Sequence, residues 1–460
     1  MKSPQPSAPR SAIAGWVLFD WAAQPYFTLV TTFVFAPYFA SVVANDPVRG
    51  QVLWGYATAC AGIVIAFCSP VLGAIADAAG RRKPWIAGFG AVLVVASSLL
   101  WFGKPRDPAA VPLVLVAFAL GTIAVEFATV FNNAMMPNLV PAEKIGSLSG
   151  TGWAIGYVGG MISLVITLGL LAADPASGKT LLGLKPLFGL DAATHQGDRA
   201  SGPLSALWFL IFVTPLFLFT PDHPGRMRIM PAIRSGLATL ADTLRRLPQR
   251  RDTALFLLAN MIYADGLVAL FAFGGIYAAG TFGWQTIEIG IFGILLTITG
   301  TIGAFVGGKL DDRFGPKPVI LAALALLTVG GTAVLSIGRD VIFFVIPVAP
   351  RAADAGLYGS AAEKAYVAVG LLLGIAAGPL QAASRTLLVR LAPPERVTQH
   401  FGLLALSGKV TSFFGPLLVA LVTGLFASQK AGMAVLIVFF MIGAALLMQV
   451  RVPRSSSPSP

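Results

Sequence analysis

Three acids, Asp20, Glu126 and Asp265, stand inside long apolar runs of this sequence, as do Gln24, Tyr26, Asn132, Asn133, Asn260, Tyr263, Gln381 and Arg385. A charge placed in hydrocarbon is costly, so each marks either a functional position or a paired one. A carboxyl group can load and release a proton, and amides and phenols can hold zwitterions or sugars. The competing reading for Asp20, Glu126 and Asp265 is a hydrogen-bond acceptor that packs one helix on another. Gln381 and Arg385 are four residues apart and share one helix face. Arg385 either meets a carboxylate, anchors to phosphate at a membrane face, or pairs with the loop carrying Asp311.

Other chemistries find little support. The two cysteines, Cys60 and Cys68, fall eight apart within one apolar run and offer neither a disulfide framework nor a metal site. His195, His223 and His400 are isolated, with no acid or histidine at ligand spacing. The glycine run Gly150 to Gly160 lacks the lysine and threonine of a phosphate loop and reads as a close-packing surface. No cofactor, metal or catalytic set is expected, and the chain does not read as an enzyme.

The elements that must position these residues are membrane helices. Hydrophobic residues make up 56% of the chain and charged residues 11%, against about 25% charged in soluble domains. Spans are expected near 13–41, 52–75, 85–103, 111–133, 148–170 and 204–220, then near 253–279, 286–308, 318–337, 365–386, 401–426 and 430–450. The net charge of +12 comes mostly from loop residues. It therefore indicates topology and contact with membrane lipid rather than nucleic acid. With both termini inside, the inner loops hold Arg81, Arg82 and Lys83, Lys144, a cluster from Arg226 to Arg251, Lys309, Arg313 and Lys317, and Arg390 and Arg396, with Arg451 and Arg454 in the tail. The outer loops are lean in lysine and arginine.

This places Asp20 about 10 Å into the first helix from the inside and Glu126 at a matching depth in the fourth, where both could line one cavity. Asp265 falls near mid-bilayer in the seventh helix, and Glu288 at the wet outer end of the eighth. The first span lacks a small-residue cleavage site and reads as a retained helix. Residues 171–203 lie outside. Residues 221–252 form a central inner loop in which Ile233 to Leu247 has the spacing of an amphipathic surface helix. The run VIFFVIPVAP within 338–364 is interfacial or extends the ninth helix, and the Ser/Pro tail from Pro453 to Pro460 is disordered.

The two halves repeat each other. GAIADAAGRRKP, Gly73 to Pro84, aligns without gaps on GGKLDDRFGPKP, Gly307 to Pro318, at a constant offset of 234 residues. Gly73 then matches Gly307, Asp77 matches Asp311 and Lys83 matches Lys317. Each copy follows the second helix of its half, so the chain divides into a six-helix half at 1–220, the central loop at 221–252, a second six-helix half at 253–450 and a tail at 451–460. The glycines permit close helix approach. The acids can accept bonds from a neighbouring helix start. The basic residues Arg81, Arg82, Lys83, Arg313 and Lys317 hold the turns inside, and the set could gate the inner mouth.

The pattern G-x-x-x-D-x-x-G-R-R-K at Gly73 to Lys83 resembles the signature loop of the major facilitator superfamily. The second copy is similar, with Phe314 where glycine is usual and Gly315 one place later. FDWAAQPYFTLVTTFVFAPYFA, Phe19 to Ala40, resembles the opening helix of UMF1-type transporters, the bacterial relatives of the fungal vacuolar effluxer family associated with autophagy. That family usually has Asn and Ser where this chain has Ala23 and Gln24. NNAMMPNLVP, Asn132 to Pro141, and the run Gly152 to Gly160 are similar to the same family. The resemblance implies an all-α membrane protein of twelve helices in two pseudo-symmetric halves. It implies secondary transport of a small polar solute by alternating access, with amino acids leading and sugars, nucleosides or drugs as alternatives. Coupling to a proton, coupling to sodium and uniport all stay open. A non-transporting sensor or scaffold is the rival outside transport. The expected setting is a bacterial inner membrane, with the protein acting as a monomer.

Overall fold

A computed structural model describes residues 7–44, 47–222, 224–284, 286–352, 356–412 and 414–452. His223, Arg454 and the tail from Pro453 onward, whose disorder was expected, lie outside the described residues. Among the described residues, twelve helices are long and apolar enough to cross a membrane, from Arg10–Val43 to Gln429–Met448. Between the sixth and seventh, the amphipathic pattern of the central loop forms the helix Ile229–Arg246. Ala232 and Leu240 are buried on one of its faces, and Gly236 of that face sits against the backbone of Ala74 and Ile75.

Three local departures from regular helices have causes in the sequence. The first span is α-helical from Arg10 to Pro25, widens to a π-helix over Tyr26–Phe33, and widens again over Phe39–Val43. Pro25 and Pro37 cannot donate to the ladder, and π turns absorb such gaps. The carbonyl of Phe27 also takes the hydroxyls of Thr31 at 2.6 Å and Thr32 at 2.9 Å.

The eleventh span, expected unbroken over 401–426, is two helices, Val397–Lys409 and Phe414–Phe426. Pro416 has no N–H for the carbonyl of Ser412 and its ring would crowd that carbonyl, so the second helix starts with proline in its first turn. The ninth span ends at Leu335. The apolar run after it neither extends that helix nor forms one of its own: Val341–Ile342 pairs antiparallel with Ile346–Pro347, around a turn in which Phe343 and Phe344 have positive φ.

The chain forms two compact units. One comprises Met1–Pro141, Ile155–Leu240 and Arg396–Gly402; the other comprises Ala142–Ala154, Ala241–Glu395 and Leu403–Pro460. The start of the fifth span thus packs with the second unit, and the start of the eleventh with the first.

Candidate functional site

In the first unit, the loop after the second span closes on the start of the eleventh. Gly73 makes the approach possible: a Cβ there would lie 2.6 Å from the carbonyl oxygen of Thr398. Asp77, one turn further on, is buried. It accepts from Arg82 Nη2 at 2.9 Å, from the backbone N–H of Gln399 at 2.8 Å and from that of Thr398 at 3.2 Å. An acid at a helix start satisfies N–H groups with no partner inside the helix and meets the positive end of its dipole. Arg82 completes the set by donating to Thr398 Oγ1 at 3.0 Å and to the Gly80 carbonyl at 2.9 Å. Burial pulls its guanidinium below the ordinary arginine value, and Asp77 and Asp222 oppose that shift.

The corresponding loop of the second unit closes on the start of the fifth span, but one residue out of the expected register. Gly308, rather than Gly307, meets the fifth span, with its Cβ position 2.7 Å from the Gly146 carbonyl; Gly307 packs on Pro379 of the tenth. Asp312, rather than Asp311, takes the helix start, accepting from the Ser147 N–H at 2.9 Å and from the Ser147 hydroxyl. Asp311 is buried beside Gly146 with no hydrogen bond to either oxygen. Its arginine is Arg390, at 3.8 Å. Arg313 is exposed and lies over the ring of Phe314.

The lysines keep the expected match. Lys83 Nζ donates to the Phe217 carbonyl at 2.9 Å, at the end of the sixth span, and Lys317 Nζ donates to Met448 at 2.8 Å and Val450 at 2.7 Å, at the end of the twelfth. Each caps the last helix of its own half.

Within the first unit, Asp20 and Glu126 are half-buried. The backbone of Asp20 lies against Gly156, and Gln24 and Thr28 lie against Gly160, so the glycine run of the fifth span is a packing surface. Tyr26 is buried and donates to the Phe118 carbonyl at 2.8 Å, with Thr122 Oγ1 at 3.2 Å. This bonds it into the fourth span. Asn132 is fully buried, and its carbonyl accepts from Trp16 Nε1 at 2.7 Å; Asn133 is buried beside it in sequence.

In the second unit, three polar residues of the seventh span turn inward. Asn260 Nδ2 donates to Ser407 Oγ at 3.1 Å, Tyr263 bonds Ser384 at 2.7 Å, and Asp265 is buried with Oδ1 unpartnered. Gln381 is half-buried. Arg385 meets neither the membrane face nor Asp311. It is buried, with Nε on Ser149 Oγ at 3.0 Å, Nη2 on the Ser149 carbonyl at 2.7 Å, and its guanidinium over the Trp153 ring.

Two further residues also differ from expectation. Glu288 is buried rather than wet, because Arg351, sixty-three residues on, bonds it at 2.7 Å and Glu363 at 3.2 Å. His195 is not isolated: it pairs with Asp198 at 2.9 Å.

Twelve spans in two units, with matching loops after the second and eighth spans, are the architecture of the major facilitator transporters. The fold matches the human organic anion transporter MFSD10 with a TM-score of 0.66 at 15% identity, covering 95% of this chain and 99% of that one. It matches the major facilitator transporter FucP, solved in the outward conformation, with a TM-score of 0.61 at 14% identity, covering 96% and 99%. Residues 51–458 match the family described as vacuole effluxer Atg22 like, and the chain belongs to that family.

An uncharacterised MFS-type transporter of Bacillus subtilis, YxiO, is 24% identical over 442 residues, 94% of this chain and 93% of that protein. Autophagy-related protein 22 of Coccidioides immitis is 22% identical over 321 residues, 67% of this chain and 49% of that protein. The chain thus matches nearly the whole bacterial relative and about half the length of the fungal one. It is a multi-pass integral membrane protein and a transporter of the major facilitator type.

Proposed function

We propose that the protein is a secondary transporter that moves a small polar solute, with neutral amino acids the leading class, by alternating access of a central path between its halves. The observation that carries this reading is the pair of inner loops, each setting an acid on the start of a helix from the opposite half of the sequence. Parting those contacts opens the inner mouth, and remaking them closes it. Asp20, Glu126 and Asp265 supply carboxylates for a coupling proton. Asp265, buried with Oδ1 unpartnered, can meet an ammonium group, whereas Arg385 is engaged with Ser149. The effluxer description of the family supports export of a solute from a compartment, and the amino-acid class follows from the sequence resemblance alone. The lysine and arginine bias of the loops favours both termini in the cytoplasm; a bacterial inner membrane and a monomer complete this reading.

Counterflow in vesicles loaded with unlabelled amino acids, sugars or nucleosides tests the substrate class. Labelled amino acid should accumulate only against an amino-acid load, and Asp265→Asn should reduce that exchange at matched protein levels. Exchange of sugars or nucleosides with no exchange of any amino acid would sink the substrate assignment. No exchange of any class would sink transport itself. Running the productive pair with and without a pH gradient tests coupling. Labelling of single cysteines at 195 and at 235, an exposed position of the central-loop helix, should find the first outside and the second inside.

A further inference from the structure

The basic run Arg81-Arg82-Lys83 sends three adjacent side chains three ways. Arg82 turns inward to Asp77. Lys83 reaches the end of the sixth span, and Arg81 stays exposed. Arg81 and Lys83 border an open surface depression of about 450 Å³ that is also lined by Ala87, Phe217 and Asp222. The depression lies where the third span begins and the sixth ends, Lys83–Phe102 and Gln196–Phe219, so it opens at the edge of the apolar belt.

Its lining carries one net positive charge, Arg81 and Lys83 against Asp222. Asp222 spends both carboxylate oxygens on the chain, accepting from the N–H of Arg82 at 2.9 Å and of Lys83 at 3.2 Å. Among the described residues no acid pairs with Arg81. The Lys83 ammonium has three donors, and Phe217 takes one. Below the cations the walls are apolar. Leu218 and Phe219, 67% and 54% exposed, continue that surface along the sixth span.

A cationic rim over an apolar wall, at a membrane edge, suits an amphiphile with an anionic head. We propose that this depression binds an anionic phospholipid, its phosphodiester on Arg81 and Lys83 and an acyl chain along Ala87, Phe217 and Leu218. The anion balances the charge of Arg81 and Lys83. It also steadies the turn whose middle residue, Arg82, holds Asp77, so lipid composition bears on the first loop's closure. This last step rests on the proposed gating role, whereas the binding site does not.

Thermal unfolding of the purified full-length protein in neutral detergent tests the site. Phosphatidylglycerol should raise the midpoint saturably, because a ligand that binds only the folded state stabilises it. Phosphatidylcholine and inorganic phosphate should not. Arg81→Glu, on an exposed side chain, should weaken the apparent phosphatidylglycerol affinity by about tenfold or more, the loss of one charge-assisted contact. Ala87→Trp should block it by filling the depression. Hydrogen exchange over residues 77–84 should slow on adding phosphatidylglycerol, and Arg81→Glu should abolish the slowing. Equal stabilisation by phosphatidylcholine, or an unchanged affinity in Arg81→Glu, overturns the proposal. Stabilisation by inorganic phosphate alone reduces it to a free-anion site and overturns the lipid.

Discussion

The loops after the second and eighth spans share one pattern yet close differently. In the first, one acid does everything: Asp77 holds the eleventh span's start and Arg82 together, and Arg82 returns to the same helix through Thr398. In the second the work is divided. Asp312 holds the fifth span's start, while Asp311 faces Arg390 at 3.8 Å without a hydrogen bond. The cause is one residue of length. Gly80 and Gly315 both turn the chain with positive φ, near 90°. From the acid to that glycine the loops agree, but three residues follow from Gly80 to Lys83 and only two from Gly315 to Lys317. The shorter loop has no counterpart for one arginine of the Arg81-Arg82 pair. Its cation comes instead from the tenth span, where Arg390 has less freedom to approach. A charge network thus depends on loop length as much as on residue type.

Removing the acid of the first loop should produce the largest effect. Asp77→Ala leaves Arg82 buried without its carboxylate and two N–H groups at a helix start unmet. Breaking a buried pair from one side costs about 3–5 kcal/mol. Thermal unfolding of the purified protein should show a large fall, and counterflow at matched protein levels should slow. A shift no larger than that of a surface mutation would mean that the first loop is an ordinary turn.

The second loop should answer unequally at its two acids. Asp312→Ala removes charge-assisted bonds from Ser147, worth about 1.5–3 kcal/mol. Asp311→Asn removes a buried charge that accepts nothing, so stability should hold or rise, as when poorly compensated buried charges are replaced. A larger loss from Asp311→Asn than from Asp312→Ala would restore the gap-free alignment of the two loops and remove the division of labour.

How far the sequence could see this follows from the range of each interaction. The spans are local properties of hydropathy and length, and all twelve are found. The amphipathic helix Ile229–Arg246 was legible for the same reason, since its periodicity is written within eighteen residues. The break in the eleventh span was also written, in Gly415 and Pro416, but continuous hydropathy across 401–426 masked it. The one-residue slip was legible in principle. Gly80 and Gly315 anchor the better alignment, because only glycine turns there without strain, and Phe314 standing in the usual glycine place was its trace. The partners of Asp312, Arg385 and Glu288 were not legible. Ser147, Ser149 and Arg351 reach them from 165, 236 and 63 residues away, and nothing local distinguishes an acid that meets a helix start from one that meets water.

The smallest predicted effect lies where the two loops agree. Lys83 and Lys317 keep their shared offset and role, each capping the carbonyl end of the last helix in its half. A cation at a helix end contributes about 0.3–1 kcal/mol, so Lys83→Met and Lys317→Met should each lower stability modestly in lipid-free detergent. Methionine keeps the apolar stem and removes only the charge and its donors. Lys317 bonds two carbonyls where Lys83 bonds one, so its loss should be the slightly larger of the pair. Added phosphatidylglycerol should then widen the gap for Lys83 alone, since only that lysine borders the basic depression. If both variants respond to the lipid alike, the lysines are equivalent in function as well as in position, and the asymmetry of the two loops ends at their acids.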